Sequence, residues 1–304
     1  MSSHPWNKQT YTYKNIGNLS IQADVFQAGS LKKQPVIIWI HGGALIFGDR
    51  ASFTPGELAI YLNAGYTVVS IDYRLAPETK LPEIIKDVKD AIQWVYEKGA
   101  DLFAIAPDQM AVIGHSAGGY LALMTGFCAN PLPKAIVSFY GYGDIIGPWY
   151  SQPDPFYCQL EAVPKDEAYG VIGQIPLAGS AADKRFRFYL YCRQHGLWPQ
   201  EVAGQDPHQN PAWFSQYCPV QNVTAGYVPS LLIHGDQDTD VPYEQSVDMA
   251  GALEKHHVNH QLLTVNGRGH GLFNHAEGDQ DPVYSDVFSQ VTTFLRRYCV
   301  KPKD

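Results

Sequence analysis

The chain has 304 residues, 45% of them hydrophobic and 17% charged, which excludes a disordered chain and gives an α/β core enough apolar surface to fold without a metal or disulfide staple. Its 30 acidic against 22 basic residues leave a net charge of −8. With basic pairs as scattered as Lys32-Lys33 and Arg296-Arg297, that balance disfavours a nucleic-acid partner.

The opening segment, Met1–Lys8, lacks the basic start and apolar run of a secretory signal, and no later stretch is long and apolar enough to span a membrane. A cytoplasmic location is the expectation. Tyr11–Lys14 and Ser20–Phe26 read as a hairpin turned near Asn15–Asn18. Six buried strands follow, at Val36–Ile40, Thr67–Ile71, Met110–Ile113, Ala135–Phe139, Ser230–Ile233 and Gln261–Val265. Continuous apolar runs such as Val-Ile-Ile-Trp-Ile suit strands covered on both faces.

Between the strands, Pro82–Lys98 carries Ile84, Ile85, Val88, Ala91, Ile92 and Val95 on one helical stripe, with Pro82 to start it and Gly99 to end it. Ser116–Phe127 and Pro282–Val300 read as further helices. The alternation predicts an α/β fold: a mostly parallel eight-stranded sheet with helices on both faces, forming one domain over residues 1–304. The aromatic stretch between Phe139 and Ser230 breaks the rhythm, with Trp149, Tyr150, Tyr157, Phe186, Tyr189 and Trp198 among its rings. A structureless loop of that length is improbable, so residues 141–217 are expected to form a helical cap over the carboxyl edge of the sheet. The five cysteines, Cys128, Cys158, Cys192, Cys218 and Cys299, form no C-x-x-C pair, so neither a zinc site nor any other metal or cofactor is expected.

Chemistry concentrates at the strand ends. Gly114-His115-Ser116-Ala117-Gly118 fits G-x-S-x-G and sits between an apolar strand and a helix. There a strained turn projects a serine hydroxyl, and small flanking residues avoid collision. Ser116 is the expected nucleophile, against a structural serine in a tight turn. A serine alcohol needs a base, and in elbows of this kind the order along the chain is Ser, acid, His. His270, in the glycine-rich loop Asn266–Gly271 after the last strand, is the expected base. His256, His257, His260 and His275 lie in polar helix-end or loop contexts and read as solvent-facing. The acid comes from Gly235-Asp236-Gln237-Asp238-Thr239-Asp240-Val241-Pro242, with Asp238 first and Asp240 second. Asp236 and Asp240 also read as turn formers that bond nearby backbone. His41-Gly42-Gly43-Ala44 follows a strand, and the N–H groups of Gly43, Ala44 and Ala117 are the expected oxyanion donors, with His41 structural.

Taken together, these residues resemble the α/β-hydrolase superfamily, and within it the hormone-sensitive-lipase-like esterases and the acetyl-, feruloyl- and formamidase-type enzymes. The resemblance rests on His41-Gly42-Gly43, Asp72–Glu78, Gly114–Gly119 and the His270 loop, and spans Val36 to the C-terminus. Ala44 replaces the third glycine found in many of those esterases, and His115 replaces a frequent aspartate, which moves the chain toward the feruloyl-esterase and formamidase side. Asp72–Glu78 is expected to be structural.

The resemblance implies a serine carboxylesterase acting on a small or short-acyl ester through an acyl-enzyme on Ser116, with an aryl formamidase as the enzyme alternative. An exopeptidase of the prolyl-oligopeptidase group is disfavoured, because this length excludes its propeller. A non-catalytic small-molecule receptor on the same fold is the reading from another class. It is disfavoured because Ser116, Asp238 and His270 are all present. The partner implied is a small-molecule ester, with a homodimer left open.

Overall fold

A computed structural model of the chain describes residues 6–29, 33–273 and 281–300. Eight strands form one sheet in the order β1-β2-β4-β3-β5-β6-β7-β8. The hairpin is β1 (Asn7–Ile16) and β2 (Leu19–Gln27), paired antiparallel, and β2 pairs antiparallel with β4 (Thr67–Ile71). All other pairs are parallel: β3 (Gln34–Ile40), β5 (Ile105–His115), β6 (Ala135–Phe139), β7 (Ser230–Gly235) and β8 (His260–Val265). This is the expected mostly parallel sheet.

Alternation along β3 divides the core. Ile38 and Ile40 join Val69, Val112, Ile136 and Leu232 on one face, beneath α2 (Leu81–Leu102), α3 (Ala117–Cys128) and α9 (Glu244–Lys255). Ile37 and Trp39 join Val68, Ile113, Val137 and Ile233 on the other, beneath α1 (Pro55–Asn63) and α10 (Pro282–Cys299). Successive strand residues point to opposite faces, so a strand apolar at every position is stable only when both faces are covered.

Several boundaries differ from expectation, with β1 and β5 longer at both ends, and the end of α2 has a packing reason. α2 does not stop at Gly99 but runs on to Leu102. Gly99 is buried inside the helix, where a Cβ would come within 2.6 Å of Ile105 Cδ1. The glycine permits close packing against the start of β5 and does not cap the helix.

Between β6 and β7 the chain forms an insert of short helices: α4 (Pro148–Ser151), α5 (Lys165–Gly170), α6 (Ala182–His195), α7 (Trp198–Ala203) and α8 (Pro211–Phe214). Its rings stack into the core: Tyr150 lies parallel to Trp198 at 4.0 Å and to Trp149 at 3.8 Å. Arg185 of α6 reaches back to Glu78 at 2.7 Å, so the Asp72–Glu78 run anchors the insert. Among the described residues, no helix is long and apolar enough to cross a membrane.

Candidate functional site

β5 ends at His115, and Ser116 turns the chain into α3 with φ 55° and ψ −119°. A non-glycine residue held at positive φ stores strain that the surroundings must impose. Here the surroundings are tight. A Cβ at Gly114 would lie 2.0 Å from Gly118 O, and one at Gly118 would lie 2.1 Å from Ile40 O. The amide of Ser116 is fixed by a 2.8 Å bond to Phe139 O. The elbow is therefore wedged between β3, β6 and α3, and the Ser116 side chain lines the adjoining cavity.

His270, carried by the loop after β8, brings Nε2 to 3.1 Å from Ser116 Oγ. Its Nδ1 donates to Asp238 Oδ2 at 2.7 Å. Asp238 is held in turn: Oδ1 accepts from the amides of Asp240 at 2.8 Å and Val241 at 3.0 Å. His234, fully buried, adds a partner that sequence reasoning did not single out. Its Nε2 lies 3.2 Å from Asp238 Oδ2 and 3.0 Å from Val241 O, while Ser246 Oγ meets Nδ1 at 2.7 Å. Burial alone would raise the Asp238 pKa, but hydrogen bonds from His234 and His270 hold it well below the ordinary carboxylate range. Asp238 remains an anion facing an imidazole.

Asp240 departs from the turn-forming role. Its Oδ1 accepts from Arg193 Nη1 at 2.7 Å, Tyr157 Oη at 2.8 Å and Tyr189 Oη at 2.5 Å, all from the insert. Its Oδ2 lies 3.4 Å from His270 Nε2. Burial works against the imidazolium of His270, but the Asp240 and Asp238 carboxylates outweigh it, and the His270 pKa is raised above its ordinary value. Arg193, 1% exposed, is also paired to Asp154 at 2.6 Å, and Tyr157 and Tyr150 stack on its guanidinium. Asp236 departs from the turn-forming role as well, accepting from the distant Gly267 amide at 2.6 Å and so bracing the His270 loop.

The loop after β3 carries three consecutive residues at positive φ: Gly43 (99°), Ala44 (54°) and Leu45 (62°). Gly43 admits no side chain, since a Cβ would sit 2.0 Å from Phe47 O. Two bonds to Gly43 O close the turn, from Ile46 N at 2.8 Å and Phe47 N at 2.9 Å, and Trp198 Nε1 of the insert donates to Ala44 O at 2.9 Å. Gly43, Ala44 and Ser116 line the same cavity, and Ala117 opens α3 with a first-turn amide that has no intrahelical acceptor. His41 is buried, stacked on Tyr73 at 4.2 Å, with Nδ1 donating to Gly42 O at 2.7 Å. Burial pulls its pKa down to about 4, so it is neutral near pH 7.

His256, His257 and His260 are distant from this arrangement, at the end of α9 and the start of β8, and none lines the cavity. His275 lies outside the described residues. The cavity, 680 Å³, opens between the elbow and the insert. Rings of Trp39, Tyr140, Phe273, Tyr284 and Phe288 line one flank, and Phe47, Phe186 and Tyr189 another. Glu57 of α1 also lines it, a residue the sequence did not flag.

Two family models match the chain: BD-FAE over residues 24–151 and the prolyl oligopeptidase family over residues 187–298. Among curated proteins, a non-reducing polyketide synthase, mapC', of Penicillium brevicompactum is 29% identical over 88% of this chain. The chain spans only 14% of that synthase's length. Esterase LipC of Mycobacterium tuberculosis is 30% identical over 79% of this chain and 54% of its own. Among solved structures, an alpha/beta hydrolase superfamily protein from Enterococcus faecalis superposes with a TM-score of 0.73 at 21% identity, covering 96% of this chain and 99% of its own.

Proposed function

We propose that this chain, which has the α/β-hydrolase fold and resembles carboxylesterases, is a serine carboxylesterase that works through an acyl-enzyme on Ser116. The observation that carries the reading is the relay from Ser116 Oγ to His270 Nε2 at 3.1 Å and from His270 Nδ1 to Asp238 at 2.7 Å. In this reading His270 takes the hydroxyl proton as Oγ attacks the carbonyl, and the amides of Gly43, Ala44 and Ala117 receive the negative oxygen. Asp238 keeps the imidazole in the productive tautomer and stabilises the imidazolium. His270 then returns its proton to the departing alkoxide, and a water deprotonated by the same base releases the acid.

A cavity of 680 Å³ falls within the range of about 300–1,000 Å³ typical of small-molecule sites, which accommodates both halves of a small ester. The insert over it is read as a cap. The family match over residues 187–298 supports a second reading, cleavage of an amide by the same relay. The test is turnover of p-nitrophenyl acetate, butyrate and octanoate beside an N-formyl aryl amine and an aminoacyl p-nitroanilide, by wild type and Ser116→Ala. Ester turnover lost in the variant is expected. An amide hydrolysed faster than every ester would move the assignment, and full activity in Ser116→Ala would remove it.

A further inference from the structure

Glu57 is 3% exposed, yet it lines the cavity. Thr54 caps α1 and accepts from the Glu57 amide at 3.2 Å, which sets the residue on the first turn, facing the sheet. One oxygen, Oε1, takes three donors: Trp39 Nε1 at 3.2 Å, Tyr61 Oη at 3.1 Å and His115 Nε2 at 3.0 Å. The other, Oε2, takes none of them. His115 gives Nε2–H to Glu57, and its Nδ1 lies 2.9 Å from Tyr140 Oη. Burial keeps the Tyr140 phenol protonated. The acid is therefore held through one oxygen by three donors, and among the described residues no Lys or Arg pairs with it.

The cavity that Glu57 lines is rich in aromatic rings. Trp39, Phe273, Tyr284 and Phe288 line the same flank, and Trp39 lies 5.6 Å from the His115 ring. Among the described residues, no Lys or Arg lines the cavity, whereas Asp49 and Asp240 do, and Asp240 is already occupied by Arg193. A carboxylate and aromatic rings lining one cavity can together supply charge and quadrupole attraction to a cation. The net charge of −8 adds a long-range pull of the same sign.

We propose that Glu57 is a specificity-determining residue that binds an ammonium group of the substrate, so that the cavity prefers amine-bearing esters to neutral ones of equal size. The preference for esters rests on the Ser116 reading, but the binding claim does not. The test has two arms. Calorimetric titration of hexylammonium and of 1-hexanol into the wild-type protein and Glu57→Gln measures recognition without turnover. Steady-state kcat/KM for p-nitrophenyl 6-aminohexanoate and p-nitrophenyl heptanoate in both proteins measures discrimination, and taking the ratio cancels any general effect of the change on catalysis.

The wild type is expected to favour the ammonium member of each pair about tenfold, and Glu57→Gln to favour neither. Equal binding of the amine and the alcohol by the wild type overturns the proposal, and that comparison needs no variant to fold. A preference that survives Glu57→Gln also overturns it, by moving recognition to another acid such as Asp49. Ammonium preference in the titration with no turnover of either ester would instead leave Glu57 standing and defeat the esterase reading. Turnover of the heptanoate ester with no preference in either arm would do the reverse.

Discussion

The elbow and the insert meet at one cavity but are built by different means. Ser116 is positioned by its own neighbours in sequence and by backbone contacts of β3, β5 and β6, with glycines where a Cβ would collide. The insert is positioned by long-range side-chain pairs: Arg193 to Asp240, Arg185 to Glu78, and Trp198 to the carbonyl of Ala44. Backbone wedging leaves the proposed nucleophile little tolerance for change nearby. Side-chain pairing gives a roof that can be unpinned one contact at a time, and two of these pins end on Ala44 and Asp240, which line the cavity beside Ser116 and His270.

This contrast orders the expected losses. Removing the proposed nucleophile or base, by Ser116→Ala or His270→Ala, should lower kcat by about 10⁵-fold or more with the fold retained, checked by steady-state kinetics and circular dichroism. Within the acid loop, Asp238→Asn should cost about 10⁴-fold, because the tautomer of His270 is lost. Asp240→Asn should cost far less, and the reverse ranking would transfer the acid's role to Asp240. Gly43→Ala comes next: at φ 99° with no room for a Cβ, it should displace the proposed oxyanion donors and cost about 10²- to 10³-fold in kcat.

The insert should fail in stability before it fails in chemistry. Arg193→Met leaves Asp154 and Asp240 without their shared cation and should destabilise the protein by about 3–5 kcal/mol, read by chemical denaturation. The smallest effect is the most diagnostic. As the proposed base, His270 must be neutral to accept a proton, so kcat/KM should rise with pH, with a midpoint above the ordinary histidine value of about 6.5. Asp240 raises that midpoint and Arg193 lowers it. Asp240→Asn should therefore shift the profile to lower pH, and Arg193→Met to higher pH. A common shift in both variants would show that the insert does not act on His270 through charge.

The same contrast explains what was legible in the sequence. The bounds of β4 and β6 match expectation because each is an uninterrupted apolar run that only a doubly covered strand can use. Ser116, His270 and Asp238 were legible because each sits at a fixed offset from glycine-rich strand ends, and the structure brings the three together. Gly99 misled because a glycine after a helical stripe signals an end equally well when it serves close packing. Neither α1 nor α9 was singled out, and with α1 went Glu57, an acid in a short helix whose meaning depends on Trp39, Tyr61 and His115 meeting it in space. Asp240 was misread for the same reason, since its partner Arg193 is distant in sequence and no local pattern announces the pair.

The most direct test is to trap the covalent intermediate. A rapid acid quench of the protein with excess p-nitrophenyl butyrate, followed by intact and peptide mass spectrometry, should show one butyryl adduct on the peptide bearing Ser116. Stoichiometric release of p-nitrophenol with no adduct there, or with the adduct on another side chain, would contradict the account.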